Sequence, residues 1–285
     1  MTVNIYAFSD EADPGLSAQI ASLKANCLDG MEIRNVDGES ISDITPAKAR
    51  DIKSRLDAEG LSVWSIGSPI GKIDIERDNF HAHLETFKRT LDIADILGAQ
   101  AFRLFSFYLP QGKAPSDYRE EVLERMGKFV DSAKGHPFTL CHENEKGIYG
   151  DTAPRCLEIL TALPEIKGIF DPANFIQCGQ DTKEAWELLK SHILYLHIKD
   201  ALADGSVVPA GKGIGNLPHI VKEYLSMGGK SFTIEPHLKV FSGLAALEKE
   251  GSRTLPGIYE YESNRAAFDA ACTAFREVLS ACGQG

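Results

Sequence analysis

Alternation of apolar and polar positions divides the chain into eight short apolar runs separated by amphipathic stretches. The runs lie at 4–9, 30–35, 62–67, 101–107, 138–145, 167–171, 193–199 and 231–235. Each is short enough for a buried strand and is bounded by polar or turn-forming residues. The stretches between them carry a helical period. Leu16, Ile20 and Leu23 follow Pro14, which is expected to open the first helix. Phe80, Leu84, Phe87 and Leu91 stand at i, i+4, i+7 and i+11, and Val122, Met126, Phe129 and Ala133 repeat the pattern. Thr45 followed by Pro46 predicts an N-cap and first helical residue, with Gly60 as the stop; Gly98 ends the third helix and Ser116 is expected to cap the fourth. Further helices are expected near 154–163, 183–190, 217–227 and 265–279.

Strands that alternate with helices run parallel, and eight such units close into a (β/α)8 TIM barrel, here one domain spanning 1–285. An open doubly wound sheet is the competing α/β arrangement. It usually carries a glycine-rich phosphate loop after its first strand, and Ser9-Asp10-Glu11-Ala12-Asp13 is not one. The longest connections are 68–77, 201–215 and 237–263. Long loops on a barrel cover a site or make subunit contacts, which leaves a homo-oligomer open.

The candidate chemistry lies where the later strands end. The run 138–145 reads Phe-Thr-Leu-Cys-His-Glu-Asn-Glu, apolar and then abruptly charged. The sixth run ends at Asp171, the seventh at His197 with Lys199 and Asp200 beyond it, and the eighth at Glu235. A buried strand that breaks into charge is unusual for a purely structural element. A parallel barrel gathers its strand ends into one ring, which would bring Glu143, Asp171, His197 and Glu235 together as metal ligands. Three carboxylates with one imidazole suit Mn²⁺, Mg²⁺, Co²⁺ or Zn²⁺ and lack the thiolates of a structural zinc site. Side chains alternate along a strand, so Glu143 shares its face with Cys141, while His142 turns toward the helices. By the same rule Lys199 follows His197, and His237 follows Glu235, as candidate substrate-binding residues. Lys72 and Arg103 could hold hydroxyl, carboxylate or phosphate groups, or form internal ion pairs. Glu32 and Arg34 share a face of the second strand, and a salt bridge between them is expected. Trp64, Phe105, Phe107, Tyr108 and Phe175 could wall a pocket or serve as core.

Composition narrows the partners. The 285 residues are 43% hydrophobic and 25% charged, with a net charge of −11. That balance argues against nucleic acid, which needs a basic face. No apolar run is long enough for a membrane span and no secretory leader is apparent. The six cysteines form no C-x-x-C pair, and free thiols in a reducing cytoplasm are expected.

His142-Glu143-Asn144-Glu145, Phe170-Asp171-Pro172-Ala173-Asn174-Phe175, His197-Ile198-Lys199-Asp200 and Ile234-Glu235-Pro236-His237 together resemble the xylose-isomerase-like sugar isomerase/epimerase superfamily. The likeness extends over nearly the whole chain, including Ser68-Pro69-Ile70-Gly71-Lys72 and Arg103-Leu104-Phe105-Ser106-Phe107. It is similar in particular to the ketose 3-epimerases, the tagatose and psicose epimerases. That resemblance implies one divalent ion, foremost Mn²⁺, and a carbohydrate substrate. It also implies proton transfer by Glu143 and Glu235 from opposite faces of the substrate, through an enediolate held by the metal. Asn174 stands where those epimerases commonly have histidine, and Gly211-Lys212-Gly213 stands where relatives often carry an acidic residue or a substrate-binding arginine. Asn174 is therefore expected to bond a ligand carboxylate or the substrate. It also removes a ligand that the three-zinc endonuclease relatives need. A lyase or dehydratase acting through the same enediolate is the nearest alternative. A phosphodiesterase and a non-catalytic sugar-binding barrel are the other readings.

Overall fold

The computed structural model describes residues 3–241 and 259–283. Eight strands form a closed barrel: β1 (Asn4–Ala7), β2 (Gly30–Ile33), β3 (Ser62–Ile66), β4 (Ala101–Leu104), β5 (Thr139–Glu143), β6 (Lys167–Phe170), β7 (Ile193–Ile198) and β8 (Ser231–Ile234). Each pairs in parallel with its sequence neighbours, and β1 closes on β8 through Asn4↔Ser231 to Ala7↔Ile234. This is the expected (β/α)8 architecture.

Helix boundaries follow local chemistry. The Thr45 side chain accepts from Lys48 N–H at the start of Pro46–Ala58, and Gly98, at φ 68°, caps Phe80–Leu97. Two expected starts shift. The first helix is Leu16–Ala25 with Gly15 as N-cap, two residues beyond Pro14. Ser116 lies inside a 3-10 turn, Pro115–Tyr118, and the helix begins at Arg119. The final helix, Asn264–Ala281, is capped by the Ser263 side chain. The expected connection 237–263 lies largely outside the described residues.

The fourth strand ends three residues early. After Leu104 the backbone turns to the loop after β3: Phe105 N–H donates to Ile70, Phe107 to Gly71 and Tyr108 to Ile73. Gly71 is required there, because at φ 90° a Cβ would lie 2.0 Å from the Phe105 carbonyl oxygen. Two short hairpins also emerge within expected loops. Asn35–Val36 pairs with Glu39–Ser40 around Asp37-Gly38, and Asp200–Ala201 pairs with Val207–Val208.

The main core lies between the strands and the helices. A separate layer fills the barrel interior: Tyr6, Trp64, Ala101, Cys141, Ile169 and Tyr195. Trp64 stacks on Tyr6 at 5.3 Å and meets Tyr195 edge-on at 5.5 Å. This plug is the floor on which the polar cluster rests. Among the described residues no helix is long and apolar enough to cross a membrane. All six cysteines are free.

Candidate metal centre

Glu143 is the last residue of β5, and Asp171 and Glu235 each stand one residue beyond β6 and β8. His197 lies inside β7, one residue before its end. Barrel register converts these positions into a cluster. Each of the four offers a ligand atom within 4.8 Å of the others, and none is more than 4% exposed. His197 Nδ1 lies 2.9 Å from Glu143 Oε1, 3.2 Å from Glu235 Oε2 and 4.0 Å from Asp171 Oδ2.

The remaining predicted site residues mostly contact these ligands. Arg103 donates to Glu143 Oε2 at 2.9 Å and to the Gly67 carbonyl at 3.0 Å. Asn174 lies on Pro172–Gln177, a short helix absent from the sequence reading and capped by Asp171 itself. Its amide donates to the Asn144 carbonyl at 2.9 Å and reaches Glu143 Oε1 at 3.4 Å. Lys199 Nζ is 2.8 Å from Asp171 Oδ2 and 3.2 Å from Glu235 Oε2. His237 Nδ1 is 3.3 Å from Glu11 and 3.4 Å from Glu235. Lys72 stands farther out, paired with Glu145 at 2.8 Å and over the Phe105 ring at 4.5 Å.

Glu32 and Arg34 do not pair with each other. Glu32 faces His197 and Tyr195, whereas Arg34 binds Asp10 at 2.9 Å and Glu11 at 3.1 Å. Of the candidate aromatics, Phe105 borders the cluster, within 5.0 Å of the Arg103 guanidinium. Trp64 belongs to the interior plug, Phe107 packs on Phe80 and Phe129, and Phe175 packs on Phe170. Asp10, Glu11 and Asn144 were not anticipated as site residues. Asp10-Glu11 directly after the first apolar run was the available signal, since that strand also breaks into charge. Asn144 holds Asp171 in place by exchanging two hydrogen bonds of 2.9 Å with its backbone. Lys212 is exposed and 3.9 Å from Glu277, while Gly211 and Gly213 donate their N–H groups to Asp200.

The electrostatics favour a cation. Six buried carboxylates, Asp10, Glu11, Glu32, Glu143, Asp171 and Glu235, share this end of the barrel with the buried cations Arg34, Arg103 and Lys199 and the His197 ring, which leaves the carboxylates in excess. Burial, with Glu235 and Glu143 adding to it against Lys199, pushes Asp171 up to about 7. Burial likewise raises Glu11 to about 8, despite Arg34. Burial works against the charge on Glu143 too, but His197 and Arg103 outweigh it and hold that carboxylate well below its usual range. His197 is opposed by burial yet raised well above its ordinary value by Glu143 and Glu32.

A divalent ion fits this arrangement. Donors around such an ion, each at about 2.0–2.2 Å, converge as these four side chains do. Asp171 Oδ2 is a buried oxygen without a hydrogen bond among the described residues, because nearby Lys199 is out of line. Three hard oxygen donors and one imidazole match Mn²⁺, Mg²⁺, Co²⁺ or Zn²⁺.

A closed parallel barrel with a carboxylate–histidine cluster at the C-terminal rim defines the class of this protein. Residues 20–255 match the xylose isomerase-like TIM barrel family, and the chain belongs to that family. Solved structures of similar fold include an IOLI protein with a binding zinc atom, at TM-score 0.76 and 14% identity, covering 97% of this chain and 98% of that one. The probable 3-DHS dehydratase AsbF from Bacillus anthracis, involved in petrobactin synthesis, is similar at TM-score 0.73 and 15% identity over 97% and 99% of the two chains. A D-tagatose 3-epimerase-like protein is similar at TM-score 0.69 and 16% identity over 81% and 89%. No curated protein sequence matches this chain.

Proposed function

We propose that this protein is a divalent-metal-dependent isomerase or epimerase of a sugar or sugar derivative, with Mn²⁺ the foremost ion. The observation that carries this reading is the convergence of Glu143, Asp171, His197 and Glu235 within 4.8 Å on the rim of a barrel of this family. These four residues would hold the ion. When bound, the ion supplies Lewis-acid polarisation of a carbonyl and an adjacent hydroxyl, acidifying the α C–H.

The chain's own residues then divide the work. Glu235 Oε1 has Arg34 at 3.6 Å and His237 at 3.4 Å and no closer partner among the described residues. It is the least engaged of the two glutamates' oxygens and would take the substrate's α-proton. Both oxygens of Glu143 are engaged, Oε1 by His197 and Oε2 by Arg103. Glu143 therefore returns a proton only after one of those bonds opens. Asp171, with a shorter arm and Asn174 N–H on Oδ1 at 2.9 Å, remains a ligand. Lys199 and His237 face Glu235 and orient the substrate oxygens near it, with Arg103 and Asn174 keeping Glu143 aligned. Lys72 contacts the more distant end of the substrate.

The unequal bonding of the two glutamates also favours a second reading. A lyase or dehydratase needs one base only, and the fold neighbour AsbF is a probable dehydratase. A phosphodiester substrate suits the site poorly, since the carboxylate excess would repel it. The free thiols suit a cytoplasmic setting.

The test is a screen of ketoses and keto-sugar derivatives in deuterated solvent with Mn²⁺-loaded protein. Deuterium at the carbon next to a carbonyl, with a changed configuration or carbonyl position, supports isomerase or epimerase action. Deuterium with loss of water selects the dehydratase. No exchange with any member of the panel, together with a sugar bound unchanged, would leave the sugar-binding barrel as the better account.

A further inference from the structure

His197 uses one ring nitrogen for the cluster and the other for a residue on the opposite side of the barrel. Nε2 lies 3.1 Å from Glu32 Oε2. The second oxygen, Oε1, accepts from the Tyr195 hydroxyl at 3.1 Å, and that hydroxyl lies 3.0 Å from Ser65 Oγ. Glu32, Tyr195, Ser65 and His197 are all buried. They form a chain from the interior plug up to the cluster.

A buried carboxylate costs several kcal/mol of desolvation, which a well-placed ion pair offsets. For Glu32 the one close ion-pair partner is the His197 ring itself. The nearest guanidinium nitrogen, Arg103 Nε, is 3.9 Å away and has no hydrogen-bond partner among the described residues. The short contacts of Glu32 are a phenol and an imidazole. A carboxylate only accepts hydrogen bonds, so Nε2 must carry a proton. Nδ1, which faces Glu143, Asp171 and Glu235, is then the nitrogen that gives its lone pair to a cation, the ion displacing the proton that Nδ1 otherwise shares with Glu143. Metal-bound histidines are commonly oriented this way by an outer carboxylate.

We propose that Glu32 is a positioning residue that fixes the tautomer and ring orientation of His197 for a divalent cation and so sets the metal affinity of the site. This rests on the metal-centre reading above. Tyr195 supports Glu32 by occupying its other oxygen, and Ser65 holds Tyr195.

The test uses the full chain stripped with chelator and titrated with Mn²⁺ or Zn²⁺ by calorimetry. Glu32→Gln should bind about 10–100-fold more weakly than wild type. Glu32→Asp, which keeps the charge on a shorter arm, should recover part of that loss. Tyr195→Phe should give a smaller loss than Glu32→Gln. A long-range nitrogen–proton NMR spectrum of the zinc-loaded protein should show His197 protonated at Nε2, with that proton protected from solvent exchange in wild type and exchanging faster in Glu32→Gln. Thermal unfolding in chelator shows whether each variant is folded, and Glu32→Asp and Tyr195→Phe carry the test if Glu32→Gln is not. Unchanged metal affinity in the folded Glu32 variants, or an unchanged exchange rate of the Nε2 proton in Glu32→Gln, overturns the proposal. Failure of wild type itself to bind a divalent ion overturns the metal centre as well, so the two failures are distinct.

Discussion

His83 gives the sharpest pH prediction, because the fold needs its neutral ring. It lies in the helix Phe80–Leu97, and its Nε2 accepts the Gly71 N–H at 2.8 Å. Gly71 precedes Lys72 in the loop that packs against residues 105–108. Burial lowers His83 from 6.5 to about 4, with Asp78 opposing it weakly. The folded value is below the unfolded one, so between those values the unfolded chain binds more protons. Stability is then full above pH 6.5 and falls as the pH drops toward 4. At roughly 1.4 kcal/mol per pKa unit the loss is about 3 kcal/mol by pH 4. His142 is also lowered to about 4 by burial and titrates in the same window. The quantity to measure is therefore the difference in urea-unfolding free energy between wild type and His83→Gln, which keeps an acceptor without the titration. The wild-type advantage should shrink by about 3 kcal/mol between pH 7.5 and pH 4. A difference that stays flat within about 0.5 kcal/mol would refute the argument that the Gly71 contact requires a neutral ring.

Three substitutions probe the centre from other directions. Glu235→Gln keeps an oxygen ligand but removes the base, so turnover should fall by about 10²–10⁴ with metal content retained; near wild-type rates would exclude Glu235. Glu143→Gln should lose turnover to a similar extent yet still exchange the substrate's α-hydrogen with deuterated solvent through Glu235, which mass spectrometry of recovered substrate reads directly. Arg103→Met leaves Glu143 Oε2 and the Gly67 carbonyl without the guanidinium donor, and should destabilise the chelator-treated protein by about 3–5 kcal/mol in denaturant titration. A loss below about 1 kcal/mol would mean that water or another donor replaces the guanidinium.

The barrel was legible because alternating strand and helix periods leave few ways to connect parallel strands. The four cluster residues were legible because each breaks an apolar run at the same end. Contacts across the barrel were not legible in that way. Glu32 and His197 are 165 positions apart, and their meeting depends on closure between β1 and β8. Glu32 next to Arg34 invited a local pairing that the pleat does not make, since Arg34 lies beyond the strand and turns to Asp10 and Glu11. The helix Pro172–Gln177 is too short to show a period, although Asp171-Pro172 is an N-cap followed by a first-turn proline. The hairpin around Asp37-Gly38 had its turn signal too, but two-residue strands are too short to alternate.

The central claim is that one divalent ion is held by residues from four consecutive barrel strands. Anomalous diffraction at the metal edge, from crystals of protein loaded with Mn²⁺ or Zn²⁺, addresses it directly. The expected result is a single peak per chain within about 2.0–2.2 Å of ligand atoms from Glu143, Asp171, His197 and Glu235, abolished or largely emptied in Asp171→Ala. A site without a peak, full occupancy in Asp171→Ala, or two peaks about 3.5–4 Å apart would contradict the mononuclear centre, the last pointing instead to a hydrolase.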